Sequence, residues 1–335
     1  MSQKTRLTVG MTVDGRYRIT RILGRWRIGT AFEVNDVQAD ELRTLLTLDL
    51  VAGRGHQYLR WVRREGARAR TMPTDLLLPL GGGCLEPTLA YLVTGPFRGS
   101  SMLQVIRNGG PFDERKAARV GERLARLVAA AHHAGLYIGG LRPTTILLDP
   151  GDDDETRPSV FDLGLARGLS DFINDAPAAA AAYQAPDRDP EGAPDAAGDV
   201  FATGALLYYM LTGQKPPAIK PNAGALAQPP SWTRRDAPLA AYLDPVVLKA
   251  MAPRARERHS TLDDLASALK ALGEVFGLSP AAREMLGLPT PEPIAGFARE
   301  ATNPYLLHDF LGLPKDEDEE EHIETLSMQD LEDDD

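Results

Sequence analysis

Residues Leu136 to Gly164 read LYIGGLRPTTILLDPGDDDETRPSVFDLG, and this stretch decides the fold. An apolar pair and a Gly-Gly turn lead into a loop fixed by Pro143 and then into the apolar run Ile146 to Leu148. A polar, Asp-rich segment follows, and a second short apolar run, Ser159 to Phe161, ends in Asp162-Leu163-Gly164. Two short strands separated by turn-forming residues are typical of a β-hairpin. We therefore expect a hairpin that presents its two flanking loops on one side.

These loops resemble those of a bacterial Ser/Thr protein kinase, whose catalytic loop reads H-R-D-L-x-x-x-N and whose second strand ends in D-F-G. The His, Arg and Asp of the loop correspond here to Ile138, Gly139 and Gly140, and the Asn corresponds to Thr145. In the family the Asp is the catalytic base and the Asn binds a metal ion. The resemblance therefore implies a kinase-like fold whose catalytic loop lacks its catalytic residues.

Asp162 is the one position of these motifs that retains its chemistry, because the D-F-G aspartate holds magnesium in active kinases. It is the candidate metal ligand of the chain. The alternative is a structural carboxylate that accepts backbone N–H groups at the Leu163-Gly164 turn. The sequence leaves both open.

A candidate phosphate loop follows the alternating strand Tyr17 to Leu23. The family pattern G-x-G-x-x-G-x-V retains its first and third glycines as Gly24 and Gly29, while the middle glycine is Trp26. A Trp side chain obstructs the close approach of backbone to phosphate. Gly24 and Gly29 are thus candidate ATP-binding residues, with an ordinary turn as the alternative.

The lysine that pairs the nucleotide phosphates should lie on the strand Leu42 to Leu50, which contains no Lys. The best register places Thr47 at that position, with Leu46 as the alternative. On the following Arg-rich helix, Gln57 to Arg70, Glu65 corresponds to the glutamate that pairs with the lysine. Since that partner is missing, we expect a solvated ion pair with Arg68 at i+3.

Two further strands, Leu76 to Leu80 and Leu89 to Thr94, should complete a small antiparallel sheet. The segment after them resembles the hinge of a kinase. There an adenine would bond the carbonyl of Gly95 and the N–H of Phe97. This hinge permits a purine without requiring one.

Residues that determine the fold are retained farther along the chain. Asp187 stands in the A-P-E position and should pair with Arg258, while Asp199 should accept backbone N–H groups at Gly139. The activation segment from Leu165 to Asp187 contains Ser170 as its only aliphatic hydroxyl. Phosphorylation there has lost both its target and the Arg that would bind the phosphate. Asp113 is expected to cap the start of a helix, and a capping box is expected at Thr261 and Asp264.

Beyond Gly277 the sequence continues past the kinase-like region. A short helix is expected at Ser279 to Leu286, followed by the Pro-rich segment PTPEP. The apolar patch at 303–314 includes Tyr305 and Phe310. It predicts either packing against the large lobe or a docking peptide.

The net charge of −10 comes largely from the tail, which carries twelve acidic residues against one Lys between Lys315 and Asp335. Such a composition is typical of disorder in isolation. Ile323, Leu326 and Leu331 lie among the acids and are candidate partner-binding residues. The acidity argues against nucleic acid as a partner of the tail.

The 335 residues with 43% hydrophobic content are typical of a soluble globular protein. No apolar run is long enough to span a bilayer, and the single Cys84 excludes an intramolecular disulfide. We expect a cytoplasmic protein without membrane or nucleic-acid partners.

The predicted architecture is α+β and two-lobed. It comprises a lead (1–14), a small antiparallel β-sheet lobe with one helix (15–94), a mainly helical lobe (95–275), a linker with a docking segment (276–314) and an acidic tail (315–335). The predicted function is an inactive, pseudokinase-like interaction module whose protein partner is an active kinase or another signalling component. The alternatives are a non-catalytic switch that senses Mg-ATP and an atypical phosphotransferase.

Overall fold

A computed structural model describes residues 7–26, 28–150, 155–174, 181–217, 229–233 and 240–285 of the 335-residue chain. These residues form two compact units. The first contains the described residues up to Gly99 together with Ser159 to Asn174, and the second contains the remainder. The segment after Asp162 therefore belongs to the unit with the β-sheet, whereas the sequence predicted it to lie in the helical lobe.

The first unit is an antiparallel sheet with one long helix. Its elements are β1 (Thr12–Val13), β2 (Tyr17–Trp26), β3 (Gly29–Asp36), β4 (Glu41–Asp49), α1 (Gly55–Ala69), β5 (Leu76–Leu77), β6 (Gly81–Glu86), β7 (Leu89–Thr94) and β10 (Arg157–Phe161). The strands of the sheet occur in the order β1-β2-β3-β4-β7-β6, and a separate two-residue strand, β5, pairs in parallel with β10.

Buried strand side chains form a core of this unit, and α1 packs against β6 of the same sheet. All six residues of β7 are buried, which is typical of a strand covered on both faces. Tyr58 on α1 is fully buried and donates its hydroxyl to the backbone oxygen of Tyr91 at 2.6 Å. Gly66 allows α1 to approach the chain closely, because a Cβ there would lie 2.8 Å from the carbonyl oxygen of Leu80. The helix is therefore fixed on the sheet by packing and by a buried hydrogen bond.

The sequence prediction for the strand before β7 was wrong. Leu76 to Leu80 was expected to pair in the sheet, yet only Leu76–Leu77 is a strand, and it pairs with Val160 and Phe161. The strand beside β7 is Gly81–Glu86, whose triple glycine resembles a turn in sequence. A Cβ at Gly82 would lie 3.0 Å from the hydroxyl of Tyr58, so glycine here makes room for the packed helix. Similarly, Thr12–Val13 pairs with β2 although the sequence predicted only a polar lead.

The second unit is mainly helical, and its two short strands pair antiparallel through Ser100 with Leu148 and Ser101 with Leu147. Its elements are β8 (Ser100–Ser101), α2 (Met102–Gly109), α3 (Glu114–His133), β9 (Ile146–Asp149), α4 (Ala196–Thr212), α5 (Pro230–Thr233), α6 (Ala240–Ala250), α7 (Leu262–Gly277) and α8 (Pro280–Met285).

Helix α4 forms the centre of this unit and is buried from Asp199 to Thr212. It packs against α3, α6 and α7. Gly121 on α3 permits the close approach, because a Cβ there would overlap the side chain of Leu207. The predicted caps are present: Asp113 accepts the N–H of Lys116 at the start of α3, and Thr261 and Asp264 form a capping box at α7. Of the described helices, none is long and apolar enough to cross a membrane.

Candidate functional site

In the second unit, the loop that resembles a catalytic loop is held by Asp199. This carboxylate is fully buried and accepts the N–H groups of Ile138 and Gly139 at 2.7 Å each. The ring of His132, at the end of α3, lies 2.9 Å from the same carboxylate. Gly139 has φ +69°, a left-handed conformation that favours glycine over the family's Arg. The predicted contact of Asp199 is therefore present, and it fixes the loop through its backbone.

The two positions expected to lack catalytic groups contain no substitute for them. A Cβ added at Gly140 would meet no atom within 4 Å, so the position that corresponds to the catalytic base is open at its Cβ. Thr145 Oγ1 accepts the N–H of Arg142 at 3.1 Å and donates to the carbonyl oxygen of Arg142 at 3.0 Å. Its hydroxyl is therefore used in hydrogen bonds within the loop. Neither position supplies a proton acceptor for a substrate hydroxyl.

In the first unit, Asp162 is bound to a cation from its own chain. Arg167 donates from Nη1 to Asp162 Oδ2 and from Nε to Glu65 Oε2, the latter at 3.0 Å. All three side chains are nearly inaccessible, with Glu65 at 2%, Asp162 at 8% and Arg167 at 10% exposure. One guanidinium therefore joins the helix glutamate to the aspartate at the end of β10.

The local backbone explains how Arg167 reaches this position. Leu165–Arg167 forms a 3-10 turn between Gly164 and Gly168, which have left-handed φ values of +76° and +101°. Trp61 on α1 donates its indole N–H to the carbonyl oxygen of Arg167 at 3.0 Å. A Cβ at Gly164 would lie 2.6 Å from the Trp61 ring, so only glycine allows the turn to pack against α1.

Electrostatics keep Arg167 charged in this buried place. Burial lowers its pKa, but attraction and hydrogen bonds from Asp162 and Glu65 more than offset that effect, so its pKa is raised overall. A buried cation shared by two carboxylates is the arrangement in which ion pairs retain their charges.

The prediction that Glu65 forms a solvated ion pair was wrong about solvent exposure but right about its partner Arg68. Arg68 does pair with Glu65, at 3.2 Å, but the carboxylate is buried rather than solvated, and Arg167 is its second partner. The family pattern places the cation that pairs with this glutamate on the strand Leu42 to Leu50. The cation lies instead at Arg167, five positions after Asp162, where no local sequence pattern marks it.

Asp162 does not fit a magnesium site. Its Oδ1 accepts the N–H of Gly164 at 2.7 Å, as the structural alternative predicts, and its Oδ2 pairs with Arg167. A guanidinium beside the carboxylate repels a divalent cation. Within the described ranges no three or more His, Cys, Asp or Glu side chains gather as metal ligands.

The glycine-rich hairpin is fixed by the residue at the lysine position. Thr47 Oγ1 accepts the N–H of Thr30 at 2.8 Å, and Thr47 is 9% exposed. Gly29 packs directly on Thr47, where a Cβ would overlap the Thr47 carbonyl. The hairpin continues its strand pairing to Gly24 with Ala31 and Trp26 with Gly29. Thr47 therefore binds the loop backbone instead of a phosphate, while the Trp26 side chain lies outside the described residues.

At the hinge, internal hydrogen bonds use both backbone atoms assigned to an adenine. The N–H of Phe97 donates to Thr44 Oγ1 at 3.0 Å, and the carbonyl of Gly95 accepts from Thr94 Oγ1 at 2.9 Å. The Phe97 ring packs edge-on against Phe161 with centroids 4.5 Å apart. The N–H that would recognise a purine is therefore already bonded.

The predicted pair of Asp187 and Arg258 is present in the second unit. Arg258 is 4% exposed and also donates to the carbonyl oxygens of Ala197, Ala252 and Pro253. Asp187 also accepts the N–H of Ala255 at 2.7 Å.

Ser170, the only aliphatic hydroxyl of the activation segment, donates to the carbonyl oxygen of Leu165. The proposed partner-binding residues Tyr305, Phe310, Ile323, Leu326 and Leu331 lie outside the described residues.

The antiparallel sheet with its single helix and the helical unit built around α4 define the fold class of the protein kinases. Residues 17–232 match the family model described as Protein kinase domain, which is more than half of the chain. This chain belongs to the protein kinase family.

Curated relatives agree with this assignment. The chain is 23% identical over 280 residues to the serine/threonine-protein kinase pkn3 of Myxococcus xanthus, covering 79% of this chain and 51% of that protein. It is 27% identical over 298 residues to serine/threonine-protein kinase PknB of Mycolicibacterium smegmatis, covering 84% and 46% respectively. The chain thus spans about half the length of the curated relatives it matches.

Among solved structures, the Mycobacterium tuberculosis PknI kinase domain aligns with a TM-score of 0.61 at 20% identity. The alignment covers 80% of this chain and all of that domain. At this identity the likeness establishes the fold alone.

Proposed function

We propose that this chain is a pseudokinase, a kinase fold that acts as a regulatory or interaction module without transferring phosphate. The observation that carries the proposal is the position of Arg167, whose guanidinium pairs with both Glu65 and Asp162. In an active kinase these two acidic positions pair with a lysine and hold magnesium. In this chain one internal cation pairs with both carboxylates.

The loss in rate that the missing groups imply can be stated as a magnitude. A general base typically contributes about 10²–10⁴ in rate, and Gly140 supplies none. Electrostatic stabilisation of the transition state supplies the larger part of the catalysis of phosphoryl transfer. It depends on a lysine and on metal ligands, which Thr47 and Thr145 cannot replace. Of these catalytic groups only Asp162 is retained, and it is already paired with Arg167. Most of the known contributions to catalysis are therefore missing together.

The same geometry weighs against the alternative of a Mg-ATP-sensing switch. The N–H of Phe97 is bonded to Thr44, and Thr47 is bonded to the glycine-rich hairpin. Nucleotide binding would have to break these internal bonds and displace Arg167 from Asp162 before gaining contacts. Each broken bond to a buried group lowers the net affinity.

The regulatory part of the proposal rests on the C-terminal extension. We propose that its apolar residues, Tyr305, Phe310, Ile323, Leu326 and Leu331, contact a protein partner after the acidic residues have steered the encounter. Electrostatic steering raises association rates, and short-range apolar contacts then supply binding energy.

A thermal-shift titration of the full chain with ATP, with and without magnesium, tests the proposal, because a ligand that binds the folded state raises its apparent stability. We expect no magnesium-dependent shift and no phosphate incorporation into the chain or into a generic protein substrate. Asp162→Asn tests the site, and Asp171→Asn, at an exposed carboxylate in the same segment, is the matched control. A magnesium-dependent shift that Asp162→Asn abolishes and Asp171→Asn retains would show that the nucleotide site functions.

A further inference from the structure

The outward face of α1 is a row of arginines. The inward face is built by Tyr58, Trp61, Val62, Glu65, Gly66 and Ala69, at helical spacing. Arg60, Arg63 and Arg64 are exposed on the opposite side, and Arg70 is exposed at the end of the helix. Residues at i, i+3 and i+4 share one helix face, so Arg60, Arg63 and Arg64 form a basic stripe, which Arg70 extends at the end of the helix.

The helix itself provides almost no compensating negative charge. Between Arg54 and Arg70 the sequence contains six arginines and one acidic residue, Glu65. That carboxylate is 2% exposed and already lies against Arg64, Arg68 and Arg167. Across the part of the chain that the structure describes, Arg60, Arg63 and Arg70 form no ion pair. The stripe therefore has a surplus of positive charge directed outwards.

The chain carries a complementary segment. Residues 316–335 contain twelve acidic residues and no Lys or Arg. Thirty residues separate Met285, the last described residue, from Asp316, and a connection of that length reaches at most about 100 Å. Chain length therefore does not prevent this segment from reaching α1, and opposite charges within a Debye length of about 8–10 Å attract each other.

We propose that the α1 arginine stripe is a docking surface for residues 316–335 of the same chain. The intramolecular connection gives the acidic segment an effective concentration that a separate acidic protein must exceed. A partner with a basic surface would release the stripe by binding the segment, and a partner with an acidic surface would have to displace it. The proposal is independent of whether the chain binds nucleotide.

Photo-cross-linking of the full chain tests this docking. A photoreactive phenylalanine analogue replaces Gln57, which is exposed on α1, and mass spectrometry identifies the peptide it captures. We expect adducts with peptides from 316–335 in the band with the mass of one chain. The same probe at Gln38, exposed in the β3–β4 turn, is the matched control and should capture the segment far less.

Charge variants then separate docking from chance contact. Arg60→Gln, Arg63→Gln and Arg64→Gln together should lower the adduct yield about tenfold, equivalent to about 1.4 kcal/mol. Raising the salt to about 1 M, where the Debye length is about 3 Å, should act similarly. Arg119→Gln, Arg254→Gln and Arg256→Gln, at exposed sites elsewhere, should leave the yield unchanged.

Three outcomes would overturn the proposal. Tail adducts found only at the mass of two chains would show that docking occurs between copies. Equal capture from Gln57 and Gln38 would show no preference for α1. A yield that the α1 charge variant leaves unchanged would show that the arginines do not hold the segment.

Discussion

The Nε of Arg167 donates to Oε2 of Glu65 at 3.0 Å, between residues 102 positions apart in the sequence. The same guanidinium pairs with Asp162, so the positive charges that a lysine and a metal ion would supply in an active kinase come from one side chain. The pairing joins α1 to the turn after β10 within the first unit. It stabilises this arrangement without any bound ligand.

Arg167→Met should destabilise the first unit by about 3–5 kcal/mol, because it leaves the buried Asp162 without a cation and leaves Glu65 with only the more exposed Arg64 and Arg68. Urea unfolding of the full chain measures this loss. Adding Glu65→Gln and Asp162→Asn to the variant should restore part of the stability, since the uncompensated charges are then removed. A further, simply additive loss in that triple variant would show that the three residues do not act as one ion-pair cluster.

Arg258→Ala should cost more stability than Asp187→Ala. Arg258 is buried and donates to three backbone carbonyls besides Asp187, whereas Asp187 is 31% exposed. Losing hydrogen bonds to a charged group costs about 1.5–3 kcal/mol, which is the loss expected for Asp187→Ala. Denaturant unfolding of both single variants and the double variant gives their coupling energy. Strict additivity would contradict a direct interaction.

Gly140→Asp should leave stability nearly unchanged, because a Cβ added there would meet no atom within 4 Å. Combined with Thr145→Asn, which loses the loop hydrogen bonds of Thr145 at a cost of about 1 kcal/mol, it restores the family's residue types at both positions. We still expect no phosphate transfer, because Arg167 pairs with Asp162. Phosphate incorporation by the double variant that disappears with Asp162→Asn would contradict this.

His259 should make the second unit less stable in mild acid. Its ring is 8% exposed and donates to the carbonyl oxygen of Val246, and burial is the main reason that its pKa falls below the ordinary value of 6.5. Lys249 lowers this pKa further, while the Val246 hydrogen bond and Asp264 oppose the shift.

As the pH falls below about 6.5, the unfolded chain binds the proton at His259 before the folded chain does, so the free energy of unfolding decreases. His259→Gln should lose less stability than the wild type between about pH 8 and about pH 5. Parallel losses in both proteins would contradict the prediction.

Deleting residues 315–335 should leave the melting temperature nearly unchanged and abolish partner capture in a pull-down at physiological salt. A matched variant keeps every acidic residue but changes Ile323, Leu326 and Leu331 to Ser. It should retain the fast, salt-sensitive encounter and lose the short-range contacts, so we expect weakened capture. Undiminished capture by the deleted protein would assign partner binding to the rest of the chain.

The sequence alone determined the fold class and the positions that the family preserves. The spacing from Leu136 to Gly164 indicated the kinase-like loops, and local patterns placed the caps at Asp113 and Thr261. Asp199 and Arg258 could be assigned through the family pattern because their contacts define the fold. Such features follow from local hydrogen bonding and from motif spacing, and both depend on residues that are close together in the sequence.

Only the tertiary structure decided what replaces the lost chemistry. No local pattern distinguishes Arg167 from the other arginines of this chain, and its role arises because the 3-10 turn packs against Trp61 and Glu65. Gly81 to Glu86 likewise resembles a turn until the packing of Tyr58 and Tyr91 shows why glycines occupy a strand. Burial makes an ion pair or a close contact decisive, and burial depends on which distant residues meet.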